Sequence, residues 1–216
     1  MKLYSGPLSM FGAKTEIAAI EKDIAVNVEF VPFSLEAGYS PKHEVVQRVN
    51  PKAEVPVLID GKLELFDSTQ IFEYFESVQS EPALWPAEPA ARARARQLEL
   101  WSDEIFFANV RALMPKNLEG KSPSDVSRIE QNIAQDYAAV NRLLADRKFL
   151  VNEFSYADIA FYAALFFASF IAIAPDKELG FLSIWREEMS RRSSIQQTIG
   201  TMVKYLASYG IEAKMS

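Results

Sequence analysis

The spacing of apolar and polar positions changes character along this chain, and each change marks an element. Residues 1 to 8 predict a strand that runs into a Gly6-Pro7 break. From Met10 to Asp23, Ala13 and Ile17 lead a stripe that continues through Ile20 to Ile24, the spacing of a helix. Val26, Val28 and Phe30 then alternate with polar residues as a second strand. Strand, helix, strand implies a parallel pair joined by a right-handed crossover. Pro32 to Pro41 is expected to be loop, and Lys42 to Val49 a short helix or irregular turn. Val57-Leu58-Ile59 predicts a third strand, Asp60-Gly61 a tight turn, and Leu63 with Leu65 a fourth strand. Phe66-Asp67-Ser68-Thr69-Gln70-Ile71 then opens a helix. Asp67 is placed to cap it, with Gln70 as the other half of a capping box and Phe66 and Ile71 as a staple.

The order βαβ, connection, ββα is that of an α/β, thioredoxin-like domain, expected over residues 1–79. Prolines crowd the next stretch, Ser80 to Pro89, and forbid a continuous helix, so 80–89 is expected to be a linker. No strand of any length follows, and 90–216 is expected to be all-helical. Ala90 to Met114 predicts one long helix, with Arg92, Arg94 and Arg96 on a solvated face. Ser122-Pro123-Ser124-Asp125 starts another, with Ser122 as cap and Pro123 in the first helical position. Ser155 and Asp158 form a capping-box pair ahead of an uncharged run from Ile159 to Ala174. That run falls short of the ~20 residues that span a bilayer, so it predicts a helix buried on all sides.

Composition narrows the chemistry. The chain has 216 residues, a net charge of −6 and no cysteine. The acidic balance argues against nucleic acid as a partner. Without cysteine there are no disulfides, thiolate metal sites or protein thiol nucleophile, so any sulfur chemistry needs a thiol carried in by a ligand. His43, the single histidine, lies between Lys42 and Glu44 and is expected at the surface; no cluster of metal ligands is present in the sequence. Met1-Lys2-Leu3-Tyr4 enters a strand directly, so neither a signal peptide nor a membrane span is expected, and the location expected is cytoplasmic.

The succession Val55-Pro56, strand, Asp-Gly turn, strand, Asp67-Ser68 at a helix start resembles the glutathione-binding half of the glutathione S-transferase family. The Ser155 to Asp158 box is similar to the one this family carries in its helical domain, with Asn152 where a glycine is common. The resemblance implies that Pro56 is cis, that the Val55 backbone pairs with the cysteinyl backbone of glutathione, and that Asp67 and Ser68 hold its γ-glutamyl end. Family members more often carry Glu where Asp67 stands. Lys42 and Lys52 are candidates for the glycine carboxylate.

The resemblance also implies a hydroxyl on the sulfur near the start of the first helix. Within Leu3-Tyr4-Ser5-Gly6-Pro7-Leu8-Ser9, Ser9 is the first candidate, Ser5 the second and Tyr4 the third. Met10-Phe11 stands where many members have Ser-Pro. Met10, Phe11, Phe106, Phe107, Val110 and Met114 are candidates for an apolar substrate pocket, to which the helical domain contributes. The implied protein is a homodimeric, detoxifying glutathione transferase that needs no metal. It would stabilise the thiolate of glutathione for attack on a hydrophobic electrophile. The alternatives are glutathione-dependent ether cleavage or dehalogenation, and a non-catalytic binding module of the same fold.

Overall fold

The computed structural model describes residues 1–171 and 173–215. The chain forms two compact units. The first comprises Met1–Ala83 and Ser193–Ile211, and the second Leu84–Arg192 with the tail from Glu212.

The first unit holds a four-stranded sheet of β1 (Lys2–Ser5), β2 (Asn27–Phe30), β3 (Val57–Asp60) and β4 (Leu63–Phe66), in the order β2-β1-β3-β4. β1 and β2 are parallel, as the crossover through α1 (Met10–Glu21) requires, and the other pairs are antiparallel. The hairpin closes one residue later than expected. Asp60 pairs with Leu63, which leaves Gly61-Lys62 as the two-residue turn, with Gly61 at φ 59°. Asp60 stays in the strand, where its carboxylate accepts the Tyr74 hydroxyl at 2.7 Å. α2 (Glu44–Val49) and α3 (Ser68–Val78) complete the βαβ-ββα order. Leu3 and Leu58 face a core with Ala19 of α1 and Ile71 and Phe75 of α3, while Tyr4 and Val57 face Val31 and Val46.

α1 is buried on nearly every side, not along one stripe. Lys14 and Thr15 are wholly buried, and Glu16 nearly so. The cause is α9 (Ser193–Ser208), the last helix, which packs on α1 as α3 does. Its buried Ile195, Ile199, Met202 and Leu206 recur at helical spacing. The sequence grouped α9 with the helical half; packing returns it to the sheet.

The second unit carries α4 (Pro89–Trp101), α5 (Phe107–Ala112), α6 (Pro123–Leu143), α7 (Tyr156–Phe170) and α8 (Gly180–Ser190). The single helix expected over 90–114 is interrupted by a π-helical turn at Ser102–Phe106, where the Ser102 hydroxyl bonds back to the Leu98 carbonyl at 2.8 Å. α7 is buried from Tyr156 to Ala168, as its uncharged sequence predicts; Ala172, in the same uncharged run, lies outside the described residues. Among the described residues no helix is long and apolar enough to cross a membrane. Asp158 anchors this core. Its carboxylate accepts from Ser155 N at 3.1 Å, Leu150 N at 2.9 Å and Trp185 Nε1 at 3.0 Å.

Candidate functional site

Strand register gathers the predicted site. Ser5 pairs with Phe30, Tyr4 with Val57, and Val57 with Phe66. The ends of β1, β2 and β4 and the start of β3 therefore share one edge of the sheet. The segments that continue from them are Gly6 to Ser9, Val31 to His43, Val55-Pro56 and Asp67-Ser68. Ligands of α/β sheets bind at such carboxyl ends, where loops are free to vary.

Ser9 is the N-cap of α1, and its Oγ accepts from Gly12 N at 3.0 Å. Its own hydroxyl proton has no acceptor among the described residues. Ser5 differs: it is wholly buried, and its hydroxyl donates to Glu16 Oε1 at 2.5 Å. Burial pushes the Glu16 carboxyl up to about 7, with the Ser5 hydrogen bond pulling the other way. Gly12 makes the arrangement possible, because a Cβ there would lie 2.2 Å from Ser5 Oγ and 3.3 Å from Ser9 Oγ. Tyr4 points to the opposite face of the sheet, its ring 5.1 Å from that of His43.

Tyr39 braces the turn between Ser5 and Ser9. Its hydroxyl accepts from Leu8 N at 3.2 Å, and its ring occupies the space a Gly6 Cβ would need. Phe33 lies against Tyr39, with ring centroids 4.6 Å apart, and its carbonyl accepts from Tyr205 of α9 at 3.1 Å. Sequence reading passed over Tyr39 and Glu16. Neither sits in a recognisable motif, and a glutamate in the middle of a helix ordinarily faces water.

Val55-Pro56 is a cis peptide, with Pro56 buried at the head of β3. Asp67 caps α3 through Oδ1, which accepts from Thr69 N and Gln70 N, both at 3.1 Å. Oδ2 accepts from none of the described residues, and Asp67 is exposed. Its φ of 74° is a strained value for a residue with a side chain, of the kind that collects at functional sites. Ser68 is buried in the first turn of α3, where the positive end of the helix dipole favours an anion. Lys42 and Lys52 are both exposed, one before α2 and one after it. His43 is the N-cap of α2, with Nδ1 accepting from Val45 N.

The apolar candidates divide. Met10 is buried in the first unit and Phe11 beside it is half-buried. Phe106 and Val110 are wholly buried in the second unit, Phe106 among Trp101, Tyr137 and Phe161. Phe107 is buried against Phe167. Phe106 and Val110 are packing residues and expose no wall to a ligand, Phe107 exposes little, and Met114, half-buried after α5, keeps some accessible surface. Among the described residues no group of side chains is arranged to hold a metal ion.

The fold defines a class of protein, a thioredoxin-like domain of four strands and its helices joined to a helical unit. Residues 3–83 match the glutathione S-transferase N-terminal domain and residues 103–193 the C-terminal domain, and the chain belongs to that family. It is 26% identical over 153 residues to a stringent starvation protein A homolog of Coxiella burnetii, covering 71% of this chain and 68% of that protein. It is 24% identical over 209 residues to glutathione S-transferase 2 of Saccharomyces cerevisiae, covering 92% and 89%. A solved glutathione S-transferase domain-containing protein from Marinobacter aquaeolei matches with a TM-score of 0.78 at 26% identity, over 90% of this chain and 100% of that one.

Proposed function

We propose that this protein binds glutathione at the sheet edge, ionises its thiol at Ser9 and presents the thiolate to a hydrophobic electrophile. The observation that carries the reading is the uncommitted Ser9 hydroxyl at the N-terminus of α1, on the same edge as cis Val55-Pro56 and Asp67-Ser68. Ser5 is the weaker donor, since its proton already goes to Glu16. Asp67 Oδ2 suits the γ-glutamyl ammonium and the start of α3 its carboxylate. A thiol of pKa ~8.5 brought to ~6.5 requires about 2.7 kcal/mol of preference for the anion. One hydrogen bond to a charged group supplies ~1.5–3 kcal/mol and a helix N-terminus ~0.3–1 kcal/mol. Ser9 and α1 together supply about 1.8–4 kcal/mol, a range that spans the requirement. Ether cleavage or dehalogenation would use the same attack with a different leaving group.

The test is direct. Glutathione added at neutral pH should raise ultraviolet thiolate absorbance, and Ser9→Ala should lower that signal by about 4- to 40-fold while calorimetric binding persists. A signal indifferent to Ser9→Ala would move the hydroxyl role to Ser5. The name of the Coxiella burnetii relative, which is not that of a transferase, favours a second reading: a binding module of the same fold. Under that reading glutathione would bind with no thiolate signal, or would not bind.

A further inference from the structure

Glu16 is a carboxyl with no charged partner. Its one hydrogen bond among the described residues comes from Ser5. The groups around it are engaged elsewhere. On α1 itself, Lys14 Nζ lies 3.5 Å from Thr69 Oγ1 of α3, and Lys22 is paired with Glu76 of α3 at 2.6 Å. Glu21 accepts the Ser194 hydroxyl of α9. Tyr39 faces Glu16 from the loop after β2, and Tyr205 of α9 faces Tyr39. From β1 the facing group is Ser5, which carries no charge. Glu16 therefore holds a proton or a negative charge in a place where water cannot freely stabilise the charge.

Contacts of 2.5, 2.2 and 3.3 Å run from Glu16 Oε1 to Ser5 Oγ, to the Cβ position of Gly12, and on to Ser9 Oγ. The carboxyl thus lies within about 8 Å of the hydroxyl assigned to the sulfur. A thiolate accepting from that hydroxyl lies ~3 Å further on, within about 11 Å of the carboxyl, where two negative charges raise each other's pKa by about one unit at an effective dielectric constant of ~20. Resting on the glutathione reading above, we propose that Glu16 and the bound thiol share one negative charge: as the sulfur loses its proton, Glu16 gains one. The balance is glutathione thiol plus Glu16 carboxylate giving thiolate plus Glu16 carboxylic acid. No proton leaves the protein, and the neutral acid no longer repels the sulfur. Ser5 keeps the carboxyl in place through either state. The near-neutral value of the Glu16 carboxyl fits this exchange, since it matches the range to which the thiol is brought. Glu16 is a positioning residue in this scheme, acting on the sulfur through space and through Ser5.

The experiment measures proton release on glutathione binding, by calorimetry at pH 7 in buffers of different ionisation enthalpy. The native protein should release well under half a proton per glutathione bound. Glu16→Gln, which keeps an acceptor for Ser5, should release close to one. The variant's thiolate absorbance should also titrate as a single step, about one pH unit lower than in the native protein. Ser5→Ala, which removes the bond favouring the charged carboxyl, should behave like Glu16→Gln and serves if that variant does not fold. Equal proton release and superimposable titrations in native protein and variants, with glutathione bound by all, would overturn the shared charge and leave the glutathione reading standing. A native protein that binds no glutathione would overturn both.

Discussion

Glu16 and Gly12 each carry a measurable consequence at the scale of one residue. The Glu16 carboxyl is raised from 4.5 to about 7, first by burial, so the folded state holds its proton more tightly than the unfolded chain. For an acid shifted upward, stability is fullest below the unfolded value and is lost as pH climbs through the folded one. The window is therefore about 4.5 to 7, and the loss is on the order of 3 kcal/mol. Glu16→Gln should be more stable than the native protein at pH 8, by about 2–3 kcal/mol, and no more stable at pH 4.5. Urea unfolding at the two values checks both halves. Gly12 is argued from space. Its Cβ would sit 2.2 Å from Ser5 Oγ, so Gly12→Ala must push Ser5 away from Glu16 or move α1. It should cost about 1–3 kcal/mol, read as a lower melting temperature.

Helix starts decide the most at the scale of elements. Asp67, Ser122 and Ser155 were all legible as caps because a cap needs only the right residue at the right offset from an apolar run. The Ser122 and Ser155 boxes form in full, whereas at α3 Asp67 accepts from Gln70 N without a reciprocal bond from the Gln70 side chain. Asp158 does more than its box predicts. It also accepts from Leu150 N and Trp185 Nε1, partners 8 and 27 residues away that no local pattern announces. Asp158→Ala would leave buried donors at Leu150, Ser155 and Trp185 unpaired, and is expected to cost about 3 kcal/mol or more. Denaturant unfolding followed by tryptophan fluorescence would measure it. The π-helical turn after α4 was not legible, since Ser102 looks like any polar position until its hydroxyl is seen on the Leu98 carbonyl.

The whole molecule is governed by where α9 goes. This helix lays Ile195, Ile199, Met202 and Leu206 into the first unit against α1. Each such side chain contributes about 1.5–3 kcal/mol when buried. For four side chains that is about 6–12 kcal/mol, so a chain ending at Arg192 should lose most of an ordinary domain's stability margin of ~5–15 kcal/mol. The sheet of the first unit is expected to lose its protection against amide hydrogen exchange, although the truncated chain still carries all four strands and α1. Amides of β1 and β3 protected as in the native protein would contradict that.

Sequence alone determined the strand and helix order, the Val55-Pro56 and Asp67-Ser68 signals, the caps and the placement of Ser9 ahead of a helix. All of these depend on residues within a few positions of one another, where propensity and hydrogen-bonding chemistry act locally. Tertiary structure decided that Ser5 is spent on Glu16, that Tyr39 braces the Gly6 to Ser9 turn, that Phe106 and Val110 are core, and that α9 covers α1. Those outcomes turn on which distant side chains share one desolvated volume, a matter no spacing along the chain encodes.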